Sequence, residues 1–263
     1  MSGQPPVSYR CIDDICHIRL CRPALRNAVD GPTAVQLAAA LRRFDHEPTL
    51  KVAILSGDGE HFCAGADLKA FASGDIDRRN PLQESGDAPM GPSRLQLDKP
   101  VIAAVDGYCV AGGLELALWC DLRVASERAV FGVFCRRFGV PLIDGGSVRL
   151  PRLIGHSRAM DMILTGRAVD AQEALAFGLV NRVVASEQLL EQAEQLARQL
   201  ASFPQQCLRN DRRSAIEQWS LSENQALRRE FQLGRHSLDS GEALSGAEAF
   251  REGRGRHGAF PEP

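Results

Sequence analysis

The amino-acid sequence predicts an α/β fold with buried, largely parallel strands. Short apolar runs with many β-branched residues alternate with segments of helical spacing over the first 185 residues. The runs are continuously apolar, which is typical of strands that are covered on both faces, as in parallel sheets. Alternation of strand and helix along the chain favours the same architecture. The strand-like runs cover residues 51–56, 100–105, 121–125 and 179–184.

A hairpin precedes these runs. Residues 7–12 and 15–20 each have the composition of a strand, and Asp13-Asp14 separates them as a turn. Residues 33–44 then carry apolar side chains at helical spacing, which predicts the first helix.

The chain changes character after about residue 185. Strand patterns stop there, and helical patterns cover residues 187–200 and 204–238. We therefore expect an α/β core over residues 1–185 and a helical region over residues 186–263.

Residues 73–94 form the longest stretch without a clear period. Polar residues surround its turn-forming residues, which are Gly74, Pro81, Gly86, Pro89, Gly91 and Pro92. A loop of this length in a compact protein is either a functional lid or a disordered segment. We expect a mobile lid with few apolar anchors.

Composition excludes several classes of partner. The 263 residues carry a net charge of −2, so no basic excess suggests a nucleic-acid partner. No apolar run of 18 residues predicts a membrane span, and the polar N-terminus does not resemble a signal peptide. The eight cysteines lack CxxC spacing and a histidine cluster. We expect free thiols, no metal site and a cytoplasmic location.

Two segments follow one plan, in which small residues come after a strand and open a helix. They are Cys63-Ala-Gly-Ala-Asp-Leu68 and Cys109-Val-Ala-Gly-Gly-Leu-Glu115. Small residues let the backbone approach a ligand, and amides at a helix start point outward. Two such sites side by side would make an oxyanion hole, which binds a developing negative oxygen. Each segment alone could also be a tight packing turn. Neither has the spacing of a phosphate-binding loop.

An ordered set of short motifs runs through nearly the whole chain. It includes Arg22-Pro23 with Asn27-Ala28, Phe62-Cys-Ala-Gly-Ala-Asp-Leu68, Lys99-Pro-Val-Ile-Ala-Ala-Val105, Ala111-Gly-Gly-Leu-Glu-Leu116, Phe131-Gly132, Gly145-Gly146, Arg149-Leu150 and Gly178-Leu179-Val180. The set resembles the enoyl-CoA hydratase/isomerase (crotonase) family. The resemblance implies a spiral of ββα units with a helical C-terminal region for trimerisation. It also implies an acyl-CoA substrate, no further cofactor, and a homotrimer or a dimer of trimers.

The resemblance also assigns site residues. The backbone amides of Ala66 and Gly112 match the oxyanion hole, and Glu115 matches the first catalytic carboxylate. Arg254 and Arg256 are candidates for the cation that contacts a CoA phosphate, although a fraying basic tail is the alternative. The remaining matches to the CoA-binding stretch are Ala28, Ala64, Ala66, Asp67, Leu68 and Lys69.

The sequence departs from the family at the second catalytic carboxylate. Family hydratases have a Glu three residues after the Phe-Gly pair, and this chain has Cys135 there. The nearest carboxylate is Asp144, one position from an Asp that isomerases use; a turn-capping role is its alternative. Cys135 could be a nucleophile if Arg136 and Arg137 lowered its pKa, or it could be a packing thiol.

The resemblance therefore predicts an enoyl-CoA hydratase or enoyl-CoA isomerase. An acyl-CoA hydrolase or a C–C lyase on the same scaffold is the alternative enzyme. The missing second Glu also leaves open an acyl-CoA-binding protein without catalytic activity.

Overall fold

Nine strands form two sheets in the computed structural model, which describes residues 5–255 of the chain. The larger sheet has the order β1-β2-β3-β4-β6-β9, and only the β1–β2 hairpin in it is antiparallel. The smaller sheet has the order β5-β7-β8. The strands are β1 (Val7–Ile12), β2 (Ile15–Leu20), β3 (Val52–Gly57), β4 (Val101–Val105), β5 (Tyr108–Val110), β6 (Leu122–Ser126), β7 (Val130–Gly132), β8 (Val169–Asp170) and β9 (Arg182–Val184).

Helices connect and cover the strands. The first, α1, begins after Asp30, whose side chain accepts a hydrogen bond from the backbone N–H of Thr33 at 3.2 Å, as expected of an N-cap. The helices are α1 (Gly31–His46), α2 (Leu68–Ala72), α3 (Gly112–Trp119), α4 (Gly146–Ile154), α5 (His156–Thr165), α6 (Ala171–Phe177), α7 (Leu189–Ser202), α8 (Gln205–Glu217), α9 (Glu223–Asp239) and α10 (Glu242–Arg251).

The larger sheet is buried on both faces. One face packs in the main core with α1, and the other packs against α7 through Leu189, Ala193 and Leu196. Covering on both faces explains why strands such as β3 and β4 are apolar at successive positions. The prediction of an α/β fold with buried, largely parallel strands is confirmed.

Several predicted elements differ in detail. The strand expected over residues 179–184 is only Arg182–Val184, because Leu179 lies in the turn after α6 and bonds back to Ala174. The helical pattern over residues 204–238 is two helices with a break around Leu221. Among the described residues no strand follows β9, so the C-terminal part is helical, as expected.

Residues 73–94 have two unlike halves. In the first, Ile76 and Leu82 are exposed, as expected for a loop with few apolar anchors. The expectation is wrong for residues 88–93, where Met90 and its neighbours are buried. A side-chain amide hydrogen of Asn80 joins the halves, since Asn80 Nδ2 donates to the carbonyl of Pro89 at 2.8 Å. Movement of the first half as a lid stays a prediction.

Candidate active site

The two small-residue segments lie side by side. Cys63 and Cys109 form a parallel bridge, in which the N–H of Val110 donates to the carbonyl of Cys63 at 3.1 Å. Gly65 has φ +97°, and a Cβ placed on it would come within 2.9 Å of the amide nitrogen of Gly112. Glycine is required at this position by both the dihedral angle and the space. The fold therefore brings together the two backbone stretches that the sequence singled out.

The amides of Ala66 and Gly112 are both oriented for an outside acceptor. Val29 bonds to the carbonyl of Gly65 and to the N–H of Asp67, both within 2.9 Å, as in a parallel bridge. The intervening N–H of Ala66 therefore points away from Val29. Gly112 is the first residue of α3, where an N–H has no partner within the helix. This arrangement suits an oxyanion hole.

Close packing at Gly113 holds these stretches together, which gives a test of the local geometry. A Cβ on Gly113 would lie 2.1 Å from the carbonyl oxygen of Cys63. We expect Gly113→Ala to lower the free energy of unfolding by about 3 kcal/mol, measured by denaturant titration. Gly234→Ala in α9 is the matched control, because nothing lies within 4 Å of its Cβ position. The control should be neutral or stabilising. Equal stability of both variants would contradict the packing.

Glu115 is a buried carboxylate held by backbone amides. It lies in the first turn of α3 and is only 2% exposed. Its Oε1 accepts hydrogen bonds from the N–H of Asp144 at 2.9 Å and of Gly146 at 2.8 Å. Gly146 can approach this closely because it lacks a Cβ, which would come within 2.9 Å of the same oxygen. One carboxylate oxygen is therefore fixed by the start of α4.

The surroundings of Glu115 raise its pKa to about 7. Burial is the largest cause, because it disfavours the charged form of a carboxyl group. The hydrogen bond from Gly146 opposes this rise, and the nearby charge of Asp144 adds to it. A carboxyl group with this pKa can both accept and donate a proton near neutral pH.

Asp144 lies beside Glu115 but its carboxylate faces another segment. Its Oδ1 accepts hydrogen bonds from the N–H of Met90 at 2.9 Å and from the hydroxyl of Ser93. Its carbonyl oxygen accepts a hydrogen bond from Arg149 Nη1 at 2.9 Å. Burial raises the pKa of Asp144, although the bonds from Ser93 and Met90 oppose the rise.

Cys135 is a buried thiol in the short helix Phe134–Phe138. Burial raises its pKa, and the negative charge of Glu115 raises it further. The charge of Arg136 lowers this pKa, as the sequence suggested, but burial and Glu115 outweigh it, so the net shift is upward. Arg136 and Arg137 are exposed and donate to the carbonyls of Ile163 and Gly166. A thiol whose pKa is raised is a poor nucleophile at neutral pH, so the packing role is favoured.

Most of the residues assigned to CoA binding lie at the start of α2 or just before it. Leu68 and Lys69 are exposed at the start of α2, and Ala64 is partly exposed. Asp67 is buried, caps α2 through the N–H groups of Lys69 and Ala70, and pairs with Arg22 at 3.0 Å. Its carboxylate is therefore already bonded to groups within the protein. Binding of CoA by these residues stays a prediction.

The two other assigned positions, Ala28 and Arg254, lie away from the start of α2. Ala28 is buried, and its carbonyl accepts a hydrogen bond from Arg22. Arg254 is exposed and its guanidinium lies 3.1 Å from the carboxylate of Glu252. The alternative cation, Arg256, lies outside the described residues. A phosphate contact by Arg254 stays a prediction.

Sequence reasoning missed three residues of this site, Met90, Ser93 and Arg149. They meet Asp144 through contacts that span 5 to 54 residues of chain, and two of them come from the segment expected to be a loose loop. No local motif marks Met90 or Ser93, and the motif Arg149-Leu150 by itself gives Arg149 no role in the site. Their polar partners are visible only when the fold brings α4 against residues 88–93.

Metal ligands and membrane helices were also sought. Within residues 5–255, no three His, Cys, Asp or Glu side chains group closely enough to hold a metal ion. The helices in that range are too short or too polar to cross a membrane.

Comparisons with known proteins bear on the family and the fold. The sequence profile of the enoyl-CoA hydratase/isomerase family matches residues 12–258. A carnitinyl-CoA dehydratase from Salmonella typhi is 42% identical over 196 residues, covering 72% of this chain and 71% of the relative. A carnitinyl-CoA dehydratase from Citrobacter koseri is 41% identical over the same coverage.

Solved structures extend the likeness to almost the whole chain. An enoyl-CoA hydratase from Mycobacterium marinum has a TM-score of 0.89 at 35% identity, covering 95% of this chain and 97% of the other. One from Mycobacterium tuberculosis H37Rv also has a TM-score of 0.89, at 34% identity and 98% coverage of both chains. These likenesses show an acyl-CoA-processing enzyme of the enoyl-CoA hydratase type. This chain belongs to the enoyl-CoA hydratase/isomerase, or crotonase, family.

Proposed function

We propose that the protein catalyses the reversible dehydration of a 3-hydroxyacyl-CoA to a 2-enoyl-CoA, with Glu115 as both base and acid. The observation that carries this proposal is the Glu115 carboxyl group, whose pKa is about 7 and whose Oε1 is fixed by two amides. It lies one helical turn from Gly112, the first residue of α3.

The proposed reaction has two proton transfers. With the thioester oxygen between the amides of Ala66 and Gly112, ionised Glu115 removes a proton from the α-carbon, and the amides stabilise the enolate oxygen. The bond between the α- and β-carbons then becomes double as the bond from the β-carbon to its hydroxyl breaks. Glu115 returns the same proton to the leaving hydroxyl, which departs as water. Hydration is the reverse of these steps.

The first substrate to test is carnitinyl-CoA, because relatives with 41–42% identity are carnitinyl-CoA dehydratases. A simple 3-hydroxyacyl-CoA serves as the comparison, and formation of the enoyl thioester is followed by its ultraviolet absorbance. Faster dehydration of carnitinyl-CoA would support that specificity. Equal rates would support a general dehydratase.

Exchange of α-protons isolates the first chemical step. A saturated acyl-CoA cannot lose water, so its uptake of deuterium from heavy water reports proton removal alone. We expect exchange to rise with pH and to level off above about 7, because only ionised Glu115 is a base. Binding of acyl-CoA without exchange or dehydration would refute the proposal and favour a non-catalytic binding protein.

Double-bond isomerisation is the second candidate. The observation that favours it is Cys135 at the position of the family's second carboxylate, because a proton shuttle between two carbons needs only one base. A 3-enoyl-CoA substrate distinguishes the two reactions. Conversion of the 3-enoyl thioester at a higher kcat/KM than dehydration would replace the first proposal with this one.

We further propose a homotrimer or a dimer of trimers. Its support is the exposed apolar surface of the C-terminal helices, where Phe231 is 69% and Leu244 67% exposed. These helices also enclose a groove of about 650 Å³ lined by Leu227 and Leu238. Sedimentation equilibrium should give three or six chains per particle. A monomer that persists at micromolar concentration would contradict the expectation.

The proposed reaction uses no cofactor, because the CoA thioester itself activates the α-proton. We expect chelators to leave the rate of dehydration unchanged. The eight cysteines are all free thiols, which supports a reducing location such as the cytoplasm.

A further inference from the structure

We infer that Asp144 is a positioning residue that fastens residues 88–93 to the catalytic carboxylate, and is not itself an acid or base. The inference rests on the proposed role of Glu115 and assigns to Asp144 a different task at the same site. Asp144 is 4% exposed, so its polar groups depend on partners within the protein.

The polar groups of Asp144 connect three parts of the chain. Its N–H donates to Glu115 Oε1 at 2.9 Å, which ties it to α3. Its Oδ1 accepts from the Met90 amide at 2.9 Å and from the Ser93 hydroxyl, which ties it to residues 88–93. Its carbonyl accepts from Arg149 of α4 at 2.9 Å.

Arg149 closes a ring around the same contact. Its Nη2 donates to the carbonyl oxygen of Ser93 at 2.6 Å, while Nη1 donates to Asp144. Ser93 is therefore held by its hydroxyl through Asp144 and by its carbonyl through Arg149. We call Asp144, Ser93 and Arg149 the clasp.

The clasp also supports the backbone at Gly112, which is one of the two proposed oxyanion donors. The side chain of Met90 lies against Gly112, because a Cβ on Gly112 would come within 2.7 Å of Met90 Sδ. Met90 is held through its amide by Asp144. Loss of the clasp would therefore free the side chain of Met90, which packs against Gly112. It would also loosen the hydrogen bonds that hold Glu115. A displacement of about 1 Å at such a site can lower the rate about 10²-fold.

The same contacts argue against acid–base catalysis by Asp144. Its Oδ1 accepts two hydrogen bonds from protein groups, so the lone pairs of that oxygen are already used, and any proton transfer would fall to Oδ2 alone. The carboxylate is directed to residues 88–93, whereas the backbone of Asp144 faces Glu115. An amide oxygen could accept the same two bonds, but an amide could not transfer a proton.

Two variants of Asp144 therefore separate positioning from catalysis. Asp144→Asn keeps an acceptor for Met90 and Ser93, and we expect its kcat to stay within about threefold of the wild type. Asp144→Ala removes the acceptor, and we expect kcat to fall about 10- to 100-fold. Asp77→Asn makes the same chemical change at an exposed side chain within residues 73–94 and is the control.

The pH profile gives a second readout of Asp144→Asn. The charge of Asp144 raises the pKa of Glu115, so its removal should shift the midpoint of kcat/KM to lower pH. A residue with only a structural role in folding would not move this midpoint.

Tryptic cleavage without substrate tests the clasp independently of turnover. Trypsin can cleave residues 73–94 after Arg78, Arg79 and Arg94. Asp144→Ala and Ser93→Ala should be cut faster than the wild type, whereas Asp144→Asn should be cut at the wild-type rate. If Asp144→Ala does not fold, as judged by thermal unfolding, Ser93→Ala carries the test alone. This arm still decides the clasp if the wild type has no dehydratase activity.

Two outcomes would overturn the inference. One is an Asp144→Asn variant as inactive as Asp144→Ala with wild-type resistance to trypsin, which would make Asp144 catalytic. The other is wild-type activity and wild-type resistance in Asp144→Ala or, where that variant does not fold, in Ser93→Ala.

Discussion

Replacing Glu115 by Gln should lower turnover about 10²–10⁴-fold and leave binding of CoA esters intact. Gln keeps the size of the side chain and an oxygen that can accept the amides of Asp144 and Gly146. The substitution removes the only group at this position that can take up the α-proton. The oxyanion donors are backbone amides and are unchanged, so the thioester should still bind. Turnover is followed by enoyl absorbance and binding by calorimetry with an unreactive acyl-CoA.

A control variant removes the same functional group from the surface. Glu127 is exposed after β6, so Glu127→Gln should keep wild-type turnover. If Glu115→Gln retains activity within twofold of the wild type, Glu115 is not the base. Asp144 or Cys135 would then be the leading candidate for the base.

The sequence predicted best what is encoded locally. The two small-residue segments and Glu115 lie within a few residues of a strand end and a helix start, so their arrangement follows from the chain direction. The hairpin bounds were also predicted, because Asp13-Asp14 leaves little freedom in the register of β1 and β2. The strands of the smaller sheet were missed, since two or three residues are too few to show a period.

Long-range electrostatics could not be predicted from neighbouring residues. Arg136 and Arg137 suggested a low pKa for Cys135, but the short helix directs both side chains to the surface. Burial and the charge of Glu115, 20 positions earlier in the sequence, decide the pKa of the thiol instead. Likewise, Asp144 had the sequence features of a turn cap or a catalytic group. Its contact with Ser93 spans 51 residues and depends on the packing of two segments.

The raised pKa of Glu115 also predicts how stability depends on pH. In the unfolded chain its carboxyl group ionises near the ordinary pKa of 4.5, whereas in the folded protein it holds its proton until about pH 7. The folded state therefore binds more protons between these values, and stability falls as pH rises through this window. Below about pH 4.5 the stabilising contribution of the protonated group is fully present. Above about pH 7 it is lost, because the buried carboxylate is then charged.

Comparison with Glu115→Gln isolates this contribution from other titrating groups. Gln carries no charge at any pH, so the variant should gain about 2.5 kcal/mol of unfolding free energy relative to the wild type between pH 5 and pH 8. Denaturant titrations at several pH values measure the difference. A difference between Glu115→Gln and the wild type that does not change with pH would mean that Glu115 ionises equally in both states. Its carboxylate would then be solvated by more than the two amides seen here, and a base so stabilised would remove α-protons more slowly.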